Sequence, residues 1–214
     1  MLLNSLVSLE LLTKQENYYI NTRLSNLHLI KGNPYYFGDF IHHFHNMTDN
    51  WSMLRETIET GKPVSLKDLP EEVDPHDLRD FITAMHNIAS VKTEDLCSKI
   101  DLTGSKALLD IAGGPGTYAI AFAKANPHLR AVVFDLGHVI KLTRQFIKAA
   151  HVEDRVTTQA GNCLEDTFGK NEYDAILVSN LLHIYNPANN TMILRKCWDA
   201  LKDGGQAIIH EFVL

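Results

Sequence analysis

The sequence has little cysteine and no long apolar run. Its three cysteines, Cys97, Cys163 and Cys197, are an odd number without the spacing of metal ligands, which predicts free thiols in a reducing compartment. No stretch approaches the roughly 20 apolar residues that cross a bilayer. The first residues lack the basic start and apolar run of a secretory signal. We therefore expect a cytoplasmic protein that makes no membrane contact.

Basic charge is also scarce. The 214 residues include 20 lysines and arginines against 26 acidic residues, a formal net charge of −6. Proteins that bind a polyanion usually carry a basic surplus, so nucleic acid is not an expected partner. His42, His43 and His45 lie close together, but no cysteine or carboxylate near them in the sequence completes a ligand set. We therefore predict no metal site.

The first 100 residues predict a mostly helical region with one small hairpin. Strand-like residues flank a short turn between Thr13 and Asn21. Apolar residues that recur by fours and threes predict one long helix; they are Phe40, Phe44, Met47, Trp51, Leu54 and Ile58. Gly61 is a plausible end for that helix. The next helix is predicted to begin at Asp74-Pro75, with Asp74 as its cap and Pro75 in its first turn.

From Lys106 onward, strands alternate with helices. The predicted strands are Lys106–Ile111, Arg130–Phe134, Val156–Gln159, Ala175–Ser179 and, after a turn at Asp203–Gly205, Gln206–Phe212. The predicted helices are Tyr118–Asn126, Val139–Ala150 and Asn189–Leu201, the last with Leu194, Cys197, Trp198 and Leu201 on one face. This alternation is typical of right-handed parallel βαβ units. It predicts an α/β domain with a doubly wound open sheet over residues 101–214.

A glycine-rich segment follows the first of these strands. Leu108–Thr117 reads Leu-Leu-Asp-Ile-Ala-Gly-Gly-Pro-Gly-Thr, a strand that runs through a turn into a helix. Gly113, Gly114 and Gly116 carry no side chain that would keep a ligand from the backbone. The segment also fits the dinucleotide pattern, so it does not by itself distinguish a nicotinamide cofactor from another nucleoside. A tight turn without a ligand is a third interpretation.

Polar residues fall at the ends of the predicted strands. Asp135 comes directly after Arg130–Phe134 and lies 19 residues after Gly116, where a carboxylate can accept hydrogen bonds from both ribose hydroxyls. Asp110, Asn162 and Ser179 also lie at strand ends. Ligands of such sheets bind at the carboxyl ends of the strands, so we expect these side chains to share one site.

These segments resemble the small-molecule O-methyltransferases that use S-adenosylmethionine, a family that includes plant caffeate and flavonoid enzymes and acetylserotonin methyltransferases. Leu108–Thr117 is similar to the family's first motif and Phe134–Ile140 to its second-strand end. Arg155–Asn162 resembles the third motif, and Leu194–Gly205 resembles the helix and turn before the fifth strand. The resemblance covers nearly the whole chain and implies a Rossmann-like class I methyltransferase fold.

The resemblance also implies a mechanism. The sulfonium of S-adenosylmethionine carries an activated methyl group, which the hydroxyl oxygen of a small, aromatic acceptor takes by in-line displacement. In the family a histidine serves as the general base that removes the hydroxyl proton. The segment Ser179–Tyr185 places His183 at that position. Histidine suits this role because its ordinary pKa lies near neutrality.

Contacts to the cofactor and the acceptor are implied residue by residue. The cofactor contacts are Asp110, Gly113, Gly114, Gly116, Asp135, Leu136, Gly161, Asn162, Cys163 and Ser179, with Asn162 and Cys163 beside the adenine. The family usually has an acid in place of Asn162 and often a basic residue in place of Ser179, although an amide also hydrogen-bonds adenine. Phe81 and Met85 match residues of the acceptor pocket, and their helical spacing fits plain core packing equally well.

The first residues resemble the last part of a winged-helix module, with Tyr18–Ile20 as the wing. In the family this module mediates dimerisation, so we expect a homodimer. The family has further helices before this point and, after the fifth strand, elements with the acids that orient the histidine; we expect a chain shortened at both ends and assign no such acid. A cofactor-binding protein without catalysis, a nicotinamide-dependent oxidoreductase and a DNA-binding regulator stay open as alternatives.

Overall fold

The computed structural model describes residues 1–33, 35–61 and 75–212, without the side chains of Asn46, Asp49 and Asn50. The chain forms two compact units, Met1–Ile88 and Ala89–Leu214. The boundary near residue 100 stays a prediction. Among the described residues, no helix combines the length and the apolar character that a membrane crossing requires.

The first unit consists of short helices and one hairpin. Its elements are α1 (Leu2–Ser8), β1 (Leu12–Gln15), β2 (Tyr18–Asn21), α2 (Arg23–His28), α3 (Gly38–Asn46), α4 (Thr48–Ser52), α5 (Leu54–Thr60) and α6 (Pro75–Ser90). Strands β1 and β2 pair antiparallel, with Gln15 opposite Tyr18 and Glu16 at a positive φ of 51° in the turn between them. The predicted hairpin is confirmed, while its identification as a wing stays a prediction.

The single long helix predicted over Phe40–Ile58 is wrong, because the structure divides this stretch into α3, α4 and α5. The first break falls at Met47, whose backbone N–H donates to the carbonyls of His43 and Phe44. The residues that follow it are threonine, aspartate and asparagine, which favour helix ends over helix interiors because their side chains compete for backbone hydrogen bonds. The apolar spacing runs across the break, so periodicity alone did not reveal it.

Two helix signals in the same unit are confirmed. Gly61 follows α5 with a φ of +62°, the left-handed conformation in which glycine commonly ends a helix. Helix α6 begins at Pro75, as the proline predicted. The proposed cap, Asp74, lies outside the described residues.

The second unit is the predicted α/β domain. Its elements are α7 (Thr93–Lys99), β3 (Ala107–Ile111), α8 (Thr117–Ala125), β4 (Arg130–Asp135), α9 (Gly137–Ala149), β5 (Val156–Ala160), β6 (Tyr173–Ser179), a 3-10 helix (Leu182–Ile184), α10 (Pro187–Ala200) and β7 (Leu201–His210). The five strands form one sheet in the order β5-β4-β3-β6-β7, and every neighbouring pair is parallel. The predicted doubly wound fold is confirmed.

Both faces of this sheet are covered by apolar side chains, as a parallel sheet requires. Successive residues of a strand point to opposite faces, so Leu108 and Leu109 belong to different clusters. The cluster with Leu108 includes side chains of α8 and α9, and the cluster with Leu109 includes side chains of α10. Helices on both faces hold the strand ends in fixed positions.

Two details of the last βα segment differ from prediction. Trp198 was expected on the inner face of its helix, but 79% of it is exposed. The buried positions of α10 are Ile193, Cys197 and Ala200. The glycine turn after this helix lies within β7 as an irregularity, because Tyr173 pairs with Leu201 whereas Ala175 pairs with Gln206.

The direction of the chain reverses between two central strands of the sheet. From β3 the chain proceeds outward to β4 and β5, and it then returns to β6 on the other side of β3. Loops that leave the carboxyl ends of β3 and β6 therefore diverge and leave a crevice between them. This edge is where a ligand is expected.

Candidate active site

The glycine loop after β3 is built for close approach of a ligand to the backbone. Gly114 and Gly116 have φ angles of +54° and +73°, in the left-handed region. The backbone N–H of Gly116 donates to the carbonyl of Gly113 at 2.9 Å, which closes the turn. A Cβ on Gly113 would lie 2.7 Å from Cγ of Asp110 and 2.8 Å from Cγ1 of Val133, so no larger residue fits there without a shift.

Asp135 ties this loop to the end of β4. Its Oδ2 accepts the N–H of Gly114 at 2.8 Å, and its Oδ1 accepts the N–H of Leu136 at 2.7 Å. Burial raises the pKa of Asp135, and these two hydrogen bonds oppose the shift. A carboxylate has about four acceptor positions, so each oxygen retains capacity for a ribose hydroxyl. The position fits the predicted role.

Asp110 lies within the same turn and is almost fully buried, with 1% of it exposed. The backbone N–H of Ala119 approaches the carboxylate as a weak donor, and neither oxygen receives a hydrogen bond of ordinary geometry from the residues that the structure describes. Burial raises the pKa of Asp110 to about 7, and the nearby charge of Asp135 acts in the same direction. An isolated buried carboxylate is unfavourable, and a cationic ligand would relieve that cost.

The segment after β5 forms a second wall of the site. The N–H of Gly161 donates to the carbonyl of Asp135 at 2.9 Å, and a Cβ on Gly161 would lie 2.4 Å from Cζ of Phe134. Asn162 accepts the N–H of Leu164 on its Oδ1 at 2.9 Å. The side-chain oxygen of Asn162 thus shapes the loop, and its amide NH₂ is the group suited to donate to a ligand.

Cys163 is buried beside Tyr185, its Sγ donating to the Tyr185 hydroxyl at 3.6 Å, and burial raises the pKa of the Cys163 thiol. Lys196 of α10 donates from Nζ to the carbonyls of Cys163, Leu164 and Asp166 at 3.1, 2.9 and 2.8 Å. These hydrogen bonds fix the loop to the helix. The sequence interpretation assigned no role to Tyr185 or Lys196, although both lie in segments that resemble the family, because their partners are distant in sequence.

His183 lies on the 3-10 helix that follows β6 and is paired with a carboxylate. Its Nδ1 is 2.9 Å from Oε2 of Glu211, and Oε1 of Glu211 accepts the N–H of Leu182 at 2.6 Å. The side chain of His183 is 44% exposed, whereas that of Glu211 is 10% exposed. The edge of the Phe212 ring contacts the imidazole, with centroids 5.7 Å apart. His183 is therefore oriented on one side and accessible on the other.

Glu211 is held in its ionised form. Burial opposes ionisation, but hydrogen bonds from His183, Leu182 and Phe212 outweigh it and lower the pKa of Glu211. The sequence interpretation assigned no acid to this role, because it expected the orienting acids in family elements after the fifth strand and included Glu211 in that strand, Gln206–Phe212. The strand ends at His210. The rule that selected Asp135, a carboxylate just after a strand, would have selected Glu211 with that boundary.

The other predicted contact residues, Ser179, Phe81 and Met85, lie in both units of the chain. Ser179, at the end of β6, places its Oγ 3.0 Å from Nδ1 of His210. Phe81 and Met85 lie on α6 in the first unit, where Phe81 is 41% exposed and Met85 is half-buried. The Phe81 ring contacts the edge of His43, with centroids 5.4 Å apart. Contacts of Phe81 and Met85 with an acceptor stay predictions.

The sequence predicted that no cysteine or carboxylate completes a ligand set with the histidines of α3, and one of these histidines has a carboxylate neighbour. Nδ1 of His42 lies 2.8 Å from Oδ2 of Asp80, a residue 38 positions further along the chain and outside the reach of a local motif. Within the described ranges, no group of three or more histidine, cysteine or acidic side chains is placed to hold a metal ion.

Most of the chain matches a known protein family. Residues 68–214 match the O-methyltransferase domain family. The chain belongs to this family. This is a family of S-adenosylmethionine-dependent enzymes, so the match favours that cofactor over the nicotinamide dinucleotide that the glycine loop alone also fits. The resemblance inferred from the motifs is confirmed.

Individual relatives support the same assignment. The chain is 30% identical over 217 aligned residues to 3-hydroxy-5-methyl-1-naphthoate 3-O-methyltransferase of Streptomyces sahachiroi. The alignment covers 100% of this chain and 63% of the relative. An O-methyltransferase family protein of Burkholderia thailandensis superposes with a TM-score of 0.86 at 25% identity, covering 97% of this chain and 63% of that protein.

A solved complex shows the same fold around the methyl donor. Human N-acetylserotonin methyltransferase in complex with S-adenosylmethionine superposes with a TM-score of 0.84 at 21% identity, covering 97% of this chain and 63% of the human one. The chain thus spans a little under two thirds of the length of the proteins that it matches.

Proposed function

We propose that this chain binds S-adenosylmethionine at the carboxyl edge of its parallel sheet and transfers the methyl group to a hydroxyl of a small aromatic molecule. One observation carries the proposal. The glycine loop with Asp135 and the His183–Glu211 pair are built from the same edge of one sheet, on either side of the point where the strand order reverses. A nucleoside site and a general base are thus combined in one domain.

Different residues at the carboxyl edge of the sheet would contact different parts of the cofactor. Asp135 would accept hydrogen bonds from the ribose, and the segment Gly161–Cys163 would lie beside the adenine. The bare backbone at Gly113 and Gly116 would allow close approach, and Asp110 would add negative charge opposite a cationic ligand. When bound, S-adenosylmethionine supplies a methyl group on a positively charged sulfur, activated for displacement by oxygen.

The pairing with Glu211 prepares His183 to accept a proton. An ionised carboxylate can only accept hydrogen bonds, so the Nδ1 of neutral His183 carries the hydrogen that points to Glu211. The Nε2 is then unprotonated and has a free lone pair. It would take the proton of the acceptor hydroxyl as the oxygen attacks. Glu211 is a positioning residue that acts through His183.

The acceptor class is proposed from the activity of the Streptomyces sahachiroi relative, a 3-O-methyltransferase of a hydroxynaphthoate. Phe81 and Met85 remain predicted acceptor contacts. A panel of phenols and hydroxyindoles, each incubated with the chain and S-adenosylmethionine, tests this class by mass spectrometry. Methylated product from an aromatic hydroxyl supports it. Cofactor binding without product from any member would favour a binding protein that lacks catalysis.

The donor is tested separately by thermal shift. S-adenosylmethionine should raise the melting temperature of the chain because it binds the folded state only, and NAD should leave it unchanged. Stabilisation by NAD alone would instead support an oxidoreductase.

Asp135→Ala should weaken binding of S-adenosylhomocysteine by about 1.5–3 kcal/mol, the scale of hydrogen bonds to a charged group. The variant loses the acceptor for the ribose and also the two backbone N–H partners that hold the loop. Calorimetric titration measures the change. Asp154→Ala is the matched control, because Asp154 is exposed just before β5, at the amino ends of the strands. Equal affinity in a folded Asp135→Ala variant would remove Asp135 from the site.

We also propose that the protein is a homodimer and lies in the cytoplasm. Self-association is supported by large apolar side chains exposed on the first unit, among them Trp51 and Ile58, at 60% and 73%. The cysteines form no disulfide, which fits a reducing compartment. Sedimentation velocity measures the association state, and a monomer at all accessible concentrations would contradict the dimer.

A further inference from the structure

One face of the sheet carries a polar cluster that the proposed roles leave largely unused. Asp110 pairs with Leu177, and Ser179, two residues further along β6, pairs with His210. Paired residues of neighbouring strands, and residues two apart on one strand, point to the same face. Asp110, Ser179 and His210 therefore share a face at its carboxyl end.

Tyr118, in the first turn of α8, packs on this same face. It belongs to the apolar cluster that contains Leu177, and its ring meets the edge of His210 with centroids 5.5 Å apart. Tyr118 is 6% exposed, and its hydroxyl approaches Ser179 only as a weak contact, without a hydrogen bond of ordinary geometry to a described residue. The Asp110 oxygens likewise have only a weak contact, with the backbone N–H of Ala119. Buried polar groups in folded proteins are nearly always satisfied, so this cluster has the composition of a site for a polar ligand.

The hydrogen bonds of Ser179 determine which ring nitrogen of His210 carries the proton. The Ser179 hydroxyl accepts from Nδ2 of Asn180 at 3.2 Å, so its own hydrogen is available to Nδ1 of His210 at 3.0 Å. The ring proton is then on Nε2. Burial lowers the pKa of His210, and the charge of Lys92 lowers it further, so the imidazole is neutral near pH 7. His210 is thus a neutral N–H donor beside the Tyr118 O–H donor.

Resting on the proposed function, we propose that Tyr118 and His210 bind the carboxylate of the amino-acid end of the methyl donor, with Asp110 binding its ammonium group. Tyr118 and His210 are hydrogen-bond donors that suit a carboxylate, and Asp110 is an acid that suits an ammonium group. Together they match a zwitterion, which carries both groups. A neutral ligand would leave Asp110 without a counter-charge. The assignment makes Tyr118, Ser179 and His210 determinants of donor recognition that the glycine loop does not supply.

Two nucleosides that differ in this end test the assignment by calorimetric titration. S-adenosylhomocysteine has the amino-acid end, and 5′-methylthioadenosine lacks it. The unaltered chain should bind S-adenosylhomocysteine more tightly. Tyr118→Phe removes only the hydroxyl, so it should weaken S-adenosylhomocysteine about five- to tenfold and leave 5′-methylthioadenosine unchanged. Tyr173→Phe is the matched control, because Tyr173 is equally buried, at 7%, at the opposite end of β6.

His210→Phe provides a second test, since it retains a ring against Tyr118 but has no N–H donor. It should also weaken S-adenosylhomocysteine selectively, while the melting temperature of each variant reports whether it folds. Unchanged affinity in both variants, or an equal loss for both nucleosides, would overturn the assignment while leaving the proposed function intact. If the unaltered chain bound neither nucleoside, the proposed function would fail and this assignment with it.

Discussion

His183→Gln should lower the rate of methyl transfer about 10²- to 10⁴-fold, the usual contribution of a general base. Glutamine occupies a similar volume and can still bond to Glu211, but it accepts no proton near neutral pH. Binding of S-adenosylhomocysteine should change little, because His183 lies on the 3-10 helix after β6, apart from the glycine loop and Asp135. Turnover and calorimetric affinity, measured on the same preparation, separate the two effects.

His128→Gln is the matched control for this experiment. His128 is exposed just before β4, at the amino ends of the strands, and its ring contacts the carbonyl of Leu102. Both transfer and affinity should stay near those of the unaltered chain. Full turnover in a folded His183→Gln variant would show that the base lies elsewhere or that the reaction needs none.

Glu211→Gln should cause a loss of similar size, because it reverses the hydrogen-bonding pattern around His183. Glu211 now accepts from both Nδ1 of His183 and the N–H of Leu182. An amide has one accepting oxygen and one donating nitrogen. If its oxygen faces Leu182, its nitrogen donates to Nδ1 and leaves the ring proton on Nε2, where it blocks proton uptake. A misplaced tautomer of this kind lowers turnover by about 10⁴-fold in serine proteases.

Two further measurements distinguish this positioning role from a structural one. The double variant His183→Gln with Glu211→Gln should be about as slow as either single variant, because residues that act as a unit are not additive. Glu153→Gln, at an exposed acid before β5, should leave the rate unchanged. A Glu211→Gln variant that kept its turnover, or whose loss multiplied with that of His183→Gln, would contradict the coupling.

The α/β domain was readable from sequence because its signals are local. The three central strands, β3, β4 and β6, are short apolar runs, and the predicted strands at Lys106 and Arg130 begin within one residue of β3 and β4. Polar residues at strand ends then indicated a candidate site, since the topology brings those ends together. Asp110 and Asp135 were selected in this way, and their roles stay predictions.

Features that depend on contacts distant in sequence were not readable. Glu211 lies 28 residues from His183, and Lys196 lies 33 residues from Cys163. Trp198 fits an apolar stripe by spacing, yet the sheet selects Ile193, Cys197 and Ala200 as the buried set. In the first unit, apolar residues recur at helical spacing across Met47, but the polar residues after it ended the helix. Tertiary contacts decided the first three cases, and local side chains decided the last.

The proposed reaction is tested most directly by transfer of a deuterated methyl group from labelled S-adenosylmethionine to a phenolic acceptor, followed by mass spectrometry of the product. Label should appear on the acceptor oxygen, at a rate that His183→Gln lowers at least about a hundredfold while the donor remains bound. Label that appeared at equal rates with the unaltered chain and with His183→Gln would contradict the assigned base. A chain that bound the donor and never transferred the label to any hydroxyl would contradict the assigned reaction.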